Sequence, residues 1–110
     1  MAATPLLLAL DQGTSSSRAA LFDPRGNPVA STSAPLAISY PSDGWVEQNP
    51  RDIWESQRLA MERLEQTISR EQRDAVVACG VTNQRETTIL WRRSTGQPCG
   101  PALVLSLIHI

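Results

Sequence analysis

Apolar positions fall along this chain in short runs separated by dense polar blocks, with one longer stretch of helical period. Leu6 to Leu10 is a continuous apolar run ending in Asp11-Gln12-Gly13-Thr14, the pattern of a buried strand entering a tight turn. The stretch from Arg18 to Asp23 resumes it with Ala19-Ala20-Leu21-Phe22, and Asp23-Pro24-Arg25-Gly26-Asn27 stops it, so the two runs read as hairpin-joined strands. A further strand is predicted from Pro28 to Ala37, where small and β-branched residues alternate with polar ones, before Tyr40-Pro41-Ser42-Asp43-Gly44 breaks the regularity. The chain is therefore expected to open as a three-stranded antiparallel meander.

The period then changes. Asn49 is a good N-cap, Pro50 suits the first helical position, and Asp52 places negative charge in the first turn. Ile53, Trp54, Gln57, Ala60, Met61, Leu64 and Ile68 recur at spacings of three and four, which predicts a helix with one face on a sheet and with Trp54 and Met61 in the core. Arg58, Glu62, Arg63 and Glu65 fall on the solvated side. Ala75 to Val81 reads as a second buried strand, Thr87 to Trp91 as another before the turn at Ser94-Thr95-Gly96-Gln97-Pro98, and Ala102 to Leu107 as the last. The order strand, strand, strand, helix, strand makes an α/β fold with a mixed sheet and a crossover that should be right-handed.

Composition narrows the function classes. A chain of 110 residues, 41% hydrophobic and with net charge −1, has room for one small globular domain. Its 10 Lys+Arg and 11 Asp+Glu are scattered, so no basic stripe points to a nucleic acid. The start lacks a basic segment, Asp11 interrupts its apolar run too early for a signal peptide, and no stretch suits a membrane, so a cytoplasmic chain is expected. Cys79 and Cys99 stand in no metal-ligand spacing, and the single histidine, His109, excludes a multi-histidine metal site.

Two polar blocks between apolar strands carry candidate chemistry. Asp11-Gln12-Gly13-Thr14-Ser15-Ser16-Ser17-Arg18 combines an acid, a glycine, four successive hydroxyls and an arginine. Gly13 would let the backbone turn with positive φ and bring amides close to phosphate oxygens, while Thr14, Ser15 and Ser16 add hydroxyl donors. Asp11, at a strand end, is placed to hold Mg2+ through water, and Arg18 supplies a permanent positive charge. The same residue types also make ordinary solvated turns, and composition alone does not choose. A P-loop of the GxxxxGK[ST] type is absent from this stretch. The second block, Thr82-Asn83-Gln84-Arg85-Glu86-Thr87, sets a five-donor guanidinium beside an acceptor-only carboxylate. That pairing suits a polyol, whose hydroxyls both donate and accept, and it is also the composition of a surface ion pair at a strand end.

Ala9-Leu10-Asp11-Gln12-Gly13-Thr14-Ser15-Ser16-Ser17-Arg18, Gly44-Trp45-Val46-Glu47-Gln48-Asn49-Pro50 with Ile53-Trp54, and Gly80-Val81-Thr82-Asn83-Gln84-Arg85-Glu86-Thr87-Thr88 together resemble the glycerol kinase branch of the FGGY carbohydrate kinases. Related pentulose kinases share a version of the first block without the Thr-Asn-Gln-Arg-Glu-Thr segment. The resemblance spans about residues 5 to 104, and it implies a ribonuclease-H-like, actin-like fold of which this chain is a partial first domain. It implies that Gly13, Thr14, Ser15 and Ser16 meet ATP phosphates, Arg18 the nucleotide, and Asp11 the Mg2+ through water. Arg85 and Glu86 would bind glycerol. The implied reaction is transfer of the γ-phosphoryl of ATP to glycerol, giving glycerol 3-phosphate. The family's catalytic base is an aspartate much later in the chain, so no catalytic residue is expected here, and the resemblance implies a homo-oligomer for the full-length protein.

The similarity weakens after Val104: Leu105 stands where the family has a tryptophan, and Leu105-Ser106-Leu107-Ile108-His109-Ile110 is expected to be a frame or assembly artefact following an incomplete domain over residues 1–104. A kinase of another polyol or sugar would share the first block but needs a different second one. A ribonuclease-H-like nuclease needs further converging carboxylates, which Glu47, Glu55 and Glu62 do not supply. A truncated chain without activity, its unclosed sheet edge exposed, is the remaining expectation for the isolated 110 residues.

Overall fold

The computed structural model describes residues 4–104. In chain order the elements are β1 (Leu6–Gln12), β2 (Ser16–Phe22), β3 (Pro28–Pro35), β4 (Ser39–Ser42), β5 (Trp45–Gln48), α1 (Pro50–Thr67), α2 (Arg70–Asp74), β6 (Val76–Thr82), β7 (Thr87–Thr88) and β8 (Ala102–Val104). They form two four-stranded sheets, ordered β3-β2-β1-β6 and β4-β5-β8-β7.

The expected meander is present. β1 pairs antiparallel with β2, with Asp11 opposite Arg18, and β2 pairs antiparallel with β3. The turn between β2 and β3 is held by Asp23, whose Oδ1 accepts from the backbone amides of Arg25 and Asn27, both at 2.9 Å. Those bonds, led by the one from Asn27, hold the Asp23 carboxyl below its ordinary pKa. β6 then adds parallel to β1 after the helical crossover, making the sheet mixed as predicted.

Helix α1 starts as its sequence prescribes, with the Asn49 side chain accepting from the Arg51 amide and Pro50 in the first turn. It ends where Ile68 leaves helical geometry and its amide bonds back to the Leu64 carbonyl. The core forms where Ala60 and Leu64 meet Leu6, Ala19, Leu21 and Ala34 of the first sheet. The buried face is narrower than the apolar stripe, because small Ser56 and Ala60 bring the helix close to the strands. Trp54, expected in the core, is 63% exposed, and Met61 is exposed too. Both line a groove of about 730 Å³ with Leu8, Leu21, Ile68 and Val76.

Three other expectations change. β6 is paired on one side only and is not buried: Val77 is 67% and Val81 71% exposed. An all-apolar strand takes that position only when nothing in these residues covers it. The region read as irregular after Tyr40 is the β4–β5 hairpin, turning at Gly44 with φ 73°. β7 stops at Thr88, and Trp91 makes only an isolated bridge to Pro98. The short helix α2 was not expected, yet Ser69 and Gln72 form a reciprocal capping box around its start. β8 follows the predicted last strand as far as Val104; its continuation to Leu107 and the tail 105–110 lie outside the described residues.

Candidate functional site

Because β1 and β6 run parallel as neighbours, with Asp11 in register with Thr82, the two polar blocks emerge side by side at one end of the first sheet. Ligands of open α/β sheets bind at that end of the strands.

The first block forms a tight hairpin between β1 and β2, closed by a bond from the Gly13 amide to the Ser16 carbonyl at 3.0 Å. Gly13 is required for a reason other than the one expected: its φ is not positive, but a Cβ there would lie 2.8 Å from the Ser16 backbone oxygen. The carbonyls of the turn are tied back into the protein. Ser15 O accepts from the Leu36 amide at 3.0 Å, and Thr14 O accepts from Gln48 Nε2 at 2.5 Å. Among the described residues, the amides of Thr14 and Ser15 and the hydroxyls of Thr14, Ser15 and Ser16 have no acceptor within the protein. Carbonyls held inward with donors left free is the arrangement of an anion-binding nest. Ser17 differs from its neighbours. It is fully buried, donating to Gln12 Oε1 at 3.1 Å and lying 2.6 Å from the Ser56 hydroxyl, so it anchors the hairpin to α1.

Asp11 is exposed at the sheet end and accepts from the Thr82 hydroxyl at 2.9 Å. Arg18 is its cross-strand neighbour, likewise exposed, and its carbonyl accepts from Gln57 of α1. Among the described residues no cluster of three metal-ligating side chains occurs. A lone exposed carboxylate fits a hydrated Mg2+ held through water better than a directly coordinated ion.

In the second block Arg85 and Glu86 stand exposed in the turn after β6, and they form no ion pair with each other. Glu86 has φ 52°, the one positive value among the described non-glycine residues. A left-handed glutamate is strained, and such strain concentrates at binding sites. Sequence reasoning passed over Gln48 and Gln84. Both are buried, and Gln84 Nε2 donates to Gln48 Oε1 at 2.7 Å, joining the second block to the first. The available signal was a glutamine inside each of two blocks that otherwise end strands. The site is open to solvent: the groove beside Trp54 includes none of its residues, and a second concavity of about 520 Å³ around Asn49 and Gln97 reaches it only at Gln48.

Free donors at the end of one strand and an exposed guanidinium and carboxylate after its parallel neighbour define an α/β domain with two polar turns at one sheet end. The chain belongs to the FGGY family of carbohydrate kinases, whose amino-terminal domain it matches over residues 6–106. It is 53% identical over 98 residues to a glycerol kinase of Acidovorax ebreus, covering 89% of this chain and 20% of that protein. A glycerol kinase of Rhodospirillum centenum is 46% identical over 108 residues, covering 94% and 21%. Among solved structures, Plasmodium falciparum glycerol kinase with ADP superposes with a TM-score of 0.77 at 29% identity, over 92% of this chain and 20% of that one. The xylulose kinase of Rhodospirillum rubrum does so with a TM-score of 0.76 at 25% identity, over 89% and 20%. The chain thus spans about a fifth of the length of the curated relatives it matches.

Proposed function

We propose that these residues form the phosphate- and glycerol-gripping part of an ATP-dependent glycerol kinase. The observation that carries this reading is the parallel pairing of β1 with β6, which sets the 13–16 turn and the 83–86 turn at the same sheet end. The free amides of Thr14 and Ser15, with the hydroxyls of Thr14, Ser15 and Ser16, receive the polyphosphate, and Arg18 balances its charge. Asp11 would hold Mg2+ through water, where the ion neutralises charge on the transferring group. Arg85 donates to glycerol hydroxyls and Glu86 accepts from them, fixing which oxygen faces the γ-phosphate.

In the reaction a bond forms from a terminal glycerol oxygen to the γ-phosphorus, and the bond to the β-phosphate oxygen breaks. The hydroxyl proton passes to a base supplied by an aspartate later in the family's chain. The isolated 110 residues hold both ligands on one side only and do not turn over.

The test joins residues 1–104 to the part of the Acidovorax ebreus relative that follows the matched segment, and couples ADP release to glycerol addition. Activity with glycerol, with Arg85→Ala raising the glycerol KM about tenfold or more, supports the reading. A preference for another polyol or sugar, or turnover by the isolated chain, overturns it.

A further inference from the structure

Gln84 is 7% exposed and Gln48 2%, an unusual burial for two uncharged amides next to a solvent-open site. Their orientation follows from one end. The Thr14 carbonyl can only accept, so Gln48 must present Nε2 to it. Gln48 Oε1 is then an acceptor, so Gln84 must present Nε2 in turn, at 2.7 Å. The Oε1 of Gln84 is left buried without a partner. A core selected for stability alone would place apolar residues of similar volume at both positions 48 and 84 and avoid an orphaned acceptor.

We propose that Gln84 and Gln48 are positioning residues, a directional amide relay that sets the Arg85–Glu86 turn against the carbonyl of the phosphate turn. The proposal rests on the reading of the two turns as halves of one kinase site. Gln84 immediately precedes Arg85, and the other side-chain bond between the two blocks, from Thr82 to Asp11, lies at the strand ends rather than in the turn. The bond from Gln48 Nε2 reaches Thr14, whose amide and hydroxyl are left free for the phosphate in that reading. With the relay intact, the hydroxyl-binding pair and the nest keep a fixed separation; without it, each still binds its own ligand but their alignment is lost. Both amides are buried, so their part is to position rather than to bind.

The test uses Gln84→Met and Gln48→Met, which keep side-chain volume and remove the relay. In the completed chain described above, each variant is expected to lower kcat about tenfold or more, because misalignment of reacting groups acts on the chemical step. The KM values for glycerol and ATP stay within about threefold; Tm falls little in Gln84→Met, which exchanges one unpaired acceptor for another at Gln48 Oε1, and falls more in Gln48→Met, which strands the buried Gln84 amide. The double variant loses no more than either single one, since one relay is broken once. A wild-type kcat in Gln84→Met, losses that multiply, or a kcat loss that merely follows a lowered Tm overturns the proposal. Backbone order parameters in the 110-residue chain, free of ligand, are the independent arm: Gln48→Met should lower those of the Arg85 and Glu86 amides below about 0.6 while the β1 amides keep rigid values near about 0.85. Unchanged order parameters at those two amides overturn the relay. If the completed wild-type chain fails to phosphorylate glycerol, the functional reading falls, and the order parameters alone decide the relay.

Discussion

The Thr82 hydroxyl donates to Oδ1 of Asp11 across 2.9 Å, linking the ends of two parallel strands 71 positions apart in sequence. This bond orients an exposed carboxylate whose cross-strand neighbour on the other side is Arg18. Thr82→Val removes the donor while nearly keeping the shape. Because Asp11 is exposed and its lost bond is replaced by water, stability should change by less than about 1 kcal/mol. The half-saturating Mg2+ concentration of the completed chain should rise about tenfold, as with other partners that orient metal-associated carboxylates. A Mg2+ titration of activity alongside a urea melt separates the two, and an unchanged Mg2+ dependence would show that Asp11 needs no such orientation.

Gly13→Ala places a methyl 2.8 Å from a backbone oxygen rather than from a yielding side chain. The hairpin must open to admit it, at about 1–3 kcal/mol, and the nest widens with it. Gly80→Ala is the matched control, since a Cβ there meets nothing within 4 Å. Urea melts should therefore show a loss for Gly13→Ala and a change within about 0.5 kcal/mol for Gly80→Ala. Equal effects would mean that the turn has room to spare.

Glu86→Gly should separate stability from function. Its φ of 52° costs a residue with a side chain about 1–2 kcal/mol, and glycine adopts it freely, although with a looser unfolded chain. The variant is expected to be as stable as the parent or more so, while glycerol binding weakens for want of the carboxylate. Calorimetric titration of glycerol into the completed chain, paired with its melting curve, reads both. A variant that is less stable yet binds glycerol normally would make Glu86 a structural residue.

How much of this was legible depended on whether the controlling interaction was local. The meander from β1 to β3 and the start of α1 were readable because Asp23, Gly26, Asn49 and Pro50 act within a few residues of themselves. The site residues were named from motif resemblance, and the sheet then set Asp11 beside Thr82, which no local pattern states. Trp54 and Met61 were misplaced because helical period reports an apolar stripe and not the width of what covers it. The β4–β5 hairpin hid behind Pro41 and Gly44, which read as breakers but here serve an edge strand and its turn. Gln48 and Gln84 were invisible for the same reason as the parallel pairing: their bond spans 36 positions.

The exposed face of β6 gives a prediction about the isolated chain that differs in sign from its prediction for the completed one. Val77 and Val81 are both exposed on a strand that is hydrogen-bonded along one edge only, so the 110-residue chain presents both apolar side chains and unpaired backbone groups. Such an edge is a template for pairing with another copy, and lysine on it is an effective block. Sedimentation velocity should show self-association of the isolated chain and a shift toward monomer in Val77→Lys/Val81→Lys. In the completed chain the relatives' additional sequence would cover this strand, where an unpaired lysine is costly to bury. There the same pair of substitutions should lower Tm by about 5 °C or more. A pair that rescues the fragment and spares the completed protein would mean that β6 remains an outer edge in the whole protein, and that its valines are covered by something other than the rest of the chain.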